Sequence, residues 1–387
     1  MPAYFDHAAT TPLSAIAASA LVEQMAKIGN ASSLHSPGRL VRKDVEEARE
    51  KIASLVDANP SEIIFTGSGT EANNLALKGF YWKSLALDPL RRVVLISAVE
   101  HHAILDPAEW LEEHEGAELA FIPVTSAGVI DLVFLADFIQ RRGSEIAVIA
   151  VMHSNNEVGA LQPIAEVVAM AGNIPVHTDA VQSFGKVDFS FAKLGVTSAT
   201  ISAHKIGGPL GVAALILTRG LDLTPILHGG GQERDIRSGT LNAPSIVSFA
   251  AAAQESMTKM AERAIYIRDL KSYLVESLFK IFPDITVNGD QTQCLPGIVN
   301  ITFPGTESDG LLLLLDAEGF YCSTGSACSA GVPRPSHVLL AMGVSERDAR
   351  SSLRFSLSFT NTAAEIDKLC EVIGSVVHRA RAALARG

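Results

Sequence analysis

Lys205 stands in the run Ile201-Ser202-Ala203-His204-Lys205-Ile206-Gly207-Gly208-Pro209, just after the apolar stretch Ala199-Thr200-Ile201 and just before a Gly-Gly-Pro turn. A free lysine amine has a pKa near ~10.4 and is a poor nucleophile at neutral pH. In a tight apolar turn the same amine can condense with an aldehyde. The hydroxyl and imidazole beside it can both hold an anion. Pyridoxal phosphate is the aldehyde cofactor that proteins most often bind this way. On its own the stretch also reads as a surface lysine in a loop, so the choice rests on other segments.

Val176-His177-Thr178-Asp179-Ala180-Val181-Gln182 places a carboxylate just after an apolar strand. A buried acid needs a partner, and a protonated pyridine nitrogen would supply one. At about 4 Å and an effective dielectric near 20, that attraction is about 4 kcal/mol. Gln182 can reach a ring hydroxyl. Asp179 can equally serve as the N-cap of a following helix. His101, at the end of another strand, can lie flat on an aromatic ring and move protons near neutrality, or serve as a hydrogen-bonded loop histidine. Gly67-Ser68-Gly69-Thr70-Glu71-Ala72 follows a strand and opens a helix. Its free N–H groups and the helix dipole attract phosphate, with the Thr70 hydroxyl adding a donor. The same spacing matches G-x-G-x-x-A, which keeps an NAD dehydrogenase open. The next strand, however, ends in Glu100-His101-His102 instead of a lone ribose-binding acid.

These residues require a scaffold that ends several strands at one place. Strand patterns at Glu62–Thr66, Arg92–Ser97, Glu118–Pro123, Ile146–Met152, Val176–Thr178, Thr197–Ser202 and Val212–Leu217 alternate with helical patterns. The helices are expected at Val41–Val56, Thr70–Lys83, Ala103–Glu113, Asp131–Arg142 and Ile164–Ala171. Alternation of this kind predicts a mostly parallel, seven-stranded α/β sheet sandwiched by helices. Ligands of such sheets bind at the carboxyl ends of the strands, where Thr70, His101, Asn156, Asp179 and Lys205 all fall. A long helix is expected from Ala243 to Phe282, then strands at Gly297–Phe303 and Ser352–Ser358 and helices at Asp309–Asp316 and Ala363–Ala383. These make a smaller α+β C-terminal domain. We divide the chain into 14–258 and 1–13 plus 259–387.

Composition narrows the function. The chain has 387 residues, 48% hydrophobic, and a net charge of −11. An acidic balance disfavours direct nucleic-acid binding. The apolar runs are too short for a membrane span, and Met1 to His7 lacks the pattern of a signal peptide. Cys294, Cys322, Cys328 and Cys370 show neither metal spacing nor a disulfide framework, which fits a reducing cytoplasm.

The chain resembles the NifS/IscS-like cysteine desulfurases of group I, within the class V aminotransferase family of pyridoxal 5'-phosphate enzymes of fold type I. The shared segments are Tyr4 to Pro12, Glu100-His101, Asn155-Asn156-Glu157, Asp179 to Gln182 and Ser202 to Lys205. Gly229 to Arg234, Arg237 to Thr240, Ser326-Ala327-Cys328 and Arg354-Phe355-Ser356 continue the match. The resemblance implies that Lys205 carries the cofactor, Asp179 pairs with its ring nitrogen, Gln182 contacts its ring oxygen and His101 stacks on it. It implies that Gly69, Thr70, Ser202 and His204 lie at the phosphate, and that Thr240 reaches the phosphate of a second subunit in a homodimer. Asn156 and Arg354 are implied for the cofactor and substrate carboxylate, and Cys328 for the persulfide-forming nucleophile. The implied activity turns L-cysteine into L-alanine and passes sulfur to an acceptor protein, an iron–sulfur scaffold or a tRNA-thiolating enzyme.

The other cysteines read as small core residues, with Cys322 at a buried strand end. Departures from the pattern are His7 for tyrosine, Gly207 and Leu210 for tyrosine and lysine, and Ser358-Phe359 for Gly-Arg. A selenocysteine lyase, or another enzyme of the same fold type, is the alternative.

Overall fold

The computed structural model describes residues 2–325 and 335–384, so Cys328 lies outside the described residues. Strand β1 (Ala3–Tyr4) leads into a seven-stranded sheet. Its strands are β2 (Ile63–Thr66), β3 (Val93–Ser97), β4 (Glu118–Ile122), β5 (Ile146–Ala150), β6 (Val176–Asp179), β7 (Ser198–Ser202) and β8 (Ala213–Leu217). They lie in the order β2-β8-β7-β6-β5-β3-β4. Only β8 runs against its neighbours. All seven expected strands are present, their ends shifted by no more than a residue or two.

Successive side chains of a strand point to opposite faces, and here both faces are buried. Ile63, Phe65, Val93, Leu95, Ile149 and Ile201 enter one core. Ile64, Val94, Ile96, Val148 and Leu215 enter another on the far side. Apolar residues at every position, not every second one, are the mark of a sheet covered twice. The sheet order also removes the dinucleotide reading of Gly67–Ala72. In that motif the strand before the turn belongs to a parallel βαβ unit beside its successor, whereas β2 is an edge strand paired antiparallel with β8.

A second sheet contains β9 (Thr286–Asn288), β10 (Ile298–Thr302) and β12 (Ser352–Ser356), with β10 central and antiparallel to both. Strand β11 (Phe320–Tyr321) pairs in parallel with β1. Phe5, Val299, Ile301, Leu353 and Phe355 pack there with Leu274 and Leu278 and with Ile366, Leu369 and Ile373. The expected single helix from Ala243 to Phe282 is two, Ala243–Thr258 and Met260–Ile281, meeting at Lys259 with φ −101° and ψ 4°. Neither glycine nor proline causes the break. Ile246, Phe249 and Ala253 belong to the first core, and Leu270, Leu274 and Leu278 to the second. One straight apolar stripe cannot serve both.

The sequence reading also misses β1, β9 and β11, which are too short to show a period, and the helix Ala15–Met25. The helix expected from Val41 begins earlier, at Ser36, where His35 caps it and Pro37 occupies the first turn. Among the described residues no helix is long and apolar enough to cross a membrane.

Candidate active site

A cavity of about 420 Å³ lies at the carboxyl ends of β5, β6 and β7, closed on one side by β12. It brings together Gly69, Thr70, His101, Asn156, Asp179, Gln182, Ser202, His204, Lys205 and Arg354. Thr240 is exposed and lies outside it. Gly325, three positions before Cys328, is on its wall.

Lys205 ends a short 3₁₀ turn, Ala203–Lys205, that directly follows β7. The turn is tight because Gly208 folds back on it. A Cβ there would come within 2.8 Å of the Ala203 Cβ and 2.9 Å of its carbonyl oxygen. Lys205 Nζ donates to the carbonyls of Ala8 and Ala9, at 2.5 and 2.7 Å. Burial, and then the charge of Arg354, bring its pKa down to about 8. A substantial share of the amine is therefore unprotonated, and nucleophilic, near neutrality.

Asp179 is the last residue of β6. Its Oδ1 accepts from Val181 N at 2.9 Å and its Oδ2 from Asn73 Nδ2 at 2.6 Å. The N-cap alternative does not apply, since no helix follows it directly: 181–186 form turns. Asn73 and His177 complete a buried chain that the sequence reading missed. With Nδ2 of Asn73 given to Asp179, its Oδ1 faces His177 Nε2 at 3.0 Å, which makes Nε2 the donor. His177 Nδ1 then accepts from Ser198 Oγ at 2.8 Å. Burial keeps His177 neutral, its pKa down to about 3. The signal in the sequence is the i, i+2 spacing of His177 and Asp179, which sets both on one face of β6.

His101 caps the helix His102–Glu115: its Nδ1 accepts from Ala103 N at 3.0 Å, leaving Nε2 to carry the proton of the neutral ring. Burial holds the ring's pKa below the usual histidine value. Beside it Glu100, noted in the sequence only as part of the shared Glu100-His101 pair, takes Ser97 Oγ at 2.5 Å and Met152 N at 2.6 Å on Oε1. Its pKa is pushed up to about 8, first by burial. His204 Nδ1 lies 3.3 Å from Thr10 Oγ1, and burial with the charge of Lys205 lowers its pKa to about 4. Gln182 donates to the Ala8 carbonyl at 2.8 Å and accepts from Lys186 Nζ at 3.1 Å.

Arg354, in the middle of β12, is almost fully buried and paired with Asp6 at 2.6 Å. Its Nη1 donates to the Asn156 carbonyl at 3.0 Å, while its buried Nε has no partner among the described residues. A guanidinium at a cavity wall with unspent donors suits a carboxylate. Cys322 is buried immediately after β11, as expected, and burial raises its thiol pKa to about 12. Cys294 differs from the expected core residue: it is half-buried, with Lys271 Nζ 3.1 Å from its Sγ.

The donor set fits a phosphorylated pyridine aldehyde. It offers a primary amine of lowered pKa, a carboxylate held by two donors, and an imidazole. Gly69 and Thr70 open the helix Gly69–Leu87, where first-turn N–H groups lack intrahelical partners. Ser202 and His204 stand on the same cavity.

The chain is similar to known proteins over nearly its whole length. Residues 3–369 match the family model for class-V aminotransferases. An IscS-like cysteine desulfurase of Mycobacterium tuberculosis is 48% identical over 387 residues, 99% of this chain and 98% of that protein. Cysteine desulfurase IscS 1 of Archaeoglobus fulgidus is 38% identical over 380 residues, covering 98% of this chain and 97% of the relative. A solved NifS-like protein superposes with a TM-score of 0.90 at 33% identity, over 98% of this chain and all of the other.

Proposed function

Given that the chain belongs to the class-V aminotransferase family, and within it to the IscS/NifS-like cysteine desulfurases, we propose that it converts L-cysteine to L-alanine and captures the sulfur on Cys328. The observation that carries the reading is the placement of Lys205, with its lowered pKa, in one cavity with Asp179 and Arg354. Pyridoxal 5'-phosphate, held at Lys205 when bound, supplies an electron sink for the carbanion at the substrate Cα.

The chain's own groups do the rest. Asp179, held in place by Asn73 Nδ2 and the Val181 N–H, faces the ring nitrogen as its partner. Arg354 takes the substrate carboxylate, with Asn156 beside it. The Lys205 amine, once released, removes the Cα proton, and His101 Nε2 relays the thiol proton. The Cys328 thiolate attacks the substrate sulfur: an S–S bond forms, the substrate C–S bond breaks, and its electron pair stays with the carbon skeleton that becomes alanine.

The same reading makes the enzyme a cytoplasmic homodimer in which Thr240 serves the neighbouring subunit. Its acceptor is an iron–sulfur scaffold or a tRNA-thiolating enzyme. An exposed apolar face on Ile16, Val22, Met25, Ile28 and Leu34 supports a second copy as its cover. The separate core around Phe5, Val299 and Phe355 supports 1–13 and 259–387 as a small domain, with 14–258 as the large one.

Alanine and sulfide, quantified together from purified protein given L-cysteine and reductant, test the activity. Equal amounts establish it, and bound cofactor with no alanine overturns it in favour of selenocysteine or another amino acid. Lys205→Ala abolishes cofactor attachment and turnover. Cys328→Ala still binds cysteine but transfers little sulfur, and unchanged transfer would remove Cys328 from the mechanism.

A further inference from the structure

Glu157 is the acid that none of these steps uses. Its side chain is 1% exposed, yet it stands on the wall of the main cavity. Asn155 Oδ1 accepts from the backbone N of Glu157 and of Val158, at 2.8 and 2.9 Å, and Asn155 Nδ2 donates to the Val99 carbonyl. The carboxyl is thus carried by a turn tied to the end of β3. A buried carboxyl of this kind is costly unless it is bonded.

The carboxyl meets two places far from it in sequence, one through a hydrogen bond and one through close approach. Ser336 Oγ donates to Glu157 Oε2 at 2.5 Å, while the same oxygen accepts from Leu339 N at 3.2 Å and so caps the helix His337–Ala341. Gly325, with φ +87°, lies against the same carboxyl oxygen. A Cβ built on Gly325 would come within 2.8 Å of Oε2. Glycine is therefore required there twice over, by its backbone conformation and by the carboxyl. Gly325 is further fixed through its N–H to Ser323 Oγ at 3.1 Å, and Ser323 is bridged in both directions to the backbone of Arg354. Gly325 and Ser336 flank the stretch of sequence that contains Cys328.

We propose that Glu157 is a positioning residue for sulfur transfer, holding Gly325 and Ser336 together at the cavity wall so that the chain on either side of Cys328 is registered against Arg354. This rests on the desulfurase reading. The carboxyl acts here as an acceptor and a surface, not as a proton donor. Burial raises its pKa against the Ser336 hydrogen bond and the charges of His337, Arg354 and His102, and glutamine keeps both the acceptor and the shape.

The test uses the holoenzyme, with wild type run alongside. Glu157→Ala and Ser336→Ala are each expected to keep the cysteine-induced change in the cofactor absorbance at wild-type cysteine concentrations. Alanine formation should fall by about tenfold or more, the scale of a small misplacement of a reacting group. Glu157→Gln should retain most of the rate. The double variant Glu157→Ala/Ser336→Ala should be no slower than the worse single, since both remove the same Ser336–Glu157 contact. Gly325→Ala should show the same split, relieved only in part when combined with Glu157→Ala, since the positive φ remains. Equal alanine rates in Glu157→Ala and wild type would overturn the proposal, as would loss of the cysteine-induced absorbance change in step with the rate. A wild type that forms no alanine would instead overturn the desulfurase reading itself.

Discussion

Lys205 is a base whose strength is set by its neighbours. Burial and the Arg354 charge lower its pKa to about 8, against the opposing pull of Asp179 and Asp6. At pH 7.5 about a quarter of the amine is then free, where an ordinary lysine would offer about a thousandth. Attachment of pyridoxal phosphate to the apoprotein, followed by absorbance, should therefore rise with pH through about 8. Arg354→Gln removes a positive neighbour and should move that midpoint upward; an unmoved midpoint would show that burial alone sets it. Lys205 and Asp179 were legible in the sequence because a Gly-Gly-Pro turn and a strand end are local signals. Asn73 and His177 were not, since their roles exist only once the helix Gly69–Leu87 lies against β6. Arg354 and Cys328 became visible through the family resemblance, not from any feature of their own surroundings.

At the scale of the element, β6 sets a pH limit on the fold. His177 is neutral in the folded chain, with a pKa of about 3 against 6.5 for the exposed ring. Its folded pKa is depressed, so the unfolded chain binds the proton first. The stability this group contributes is complete above about 6.5 and is lost as the pH falls toward about 3. At pH 5 the loss is about 2 kcal/mol. Glu100 has the opposite sign: its carboxyl is raised to about 8. Its contribution is complete below about 4.5 and is lost as the pH rises through 8. In His177→Gln the urea midpoint at pH 5 should rise relative to that at pH 7, compared with wild type, and Glu100→Gln should flatten the slope between pH 6 and 8. The strands themselves were readable because apolar runs on a doubly covered sheet leave a clear mark. The break at Lys259 was not, because what changes there is the core that the helix faces, and the residues on either side are ordinary helix formers.

At the scale of the molecule, the helix Ala15–Met25 buries only Ala17 and Gln24 in the isolated chain. Val22 and Met25 are each 67% exposed, and Ile28 is 86% exposed. For the proposed homodimer, Val22→Glu with Met25→Glu should leave the circular dichroism spectrum intact while halving the mass seen by analytical ultracentrifugation. An unchanged mass would place the subunit contact elsewhere. One other feature works across the whole length of the chain. Ala8 N donates to Ser356 Oγ at 2.9 Å, and Phe5 N to the Tyr321 carbonyl at 2.7 Å. The same stretch, at Ala8 and Ala9, supplies both acceptors of the Lys205 amine. A ribosome delivers these residues among the first, but the strands that seat them come among the last. Contacts of such long sequence separation form slowly. The large sheet can assemble during synthesis, but the reactive amine gains its final setting only after β12 has emerged. The first residues made and the strands made last are thus joined at the amine itself.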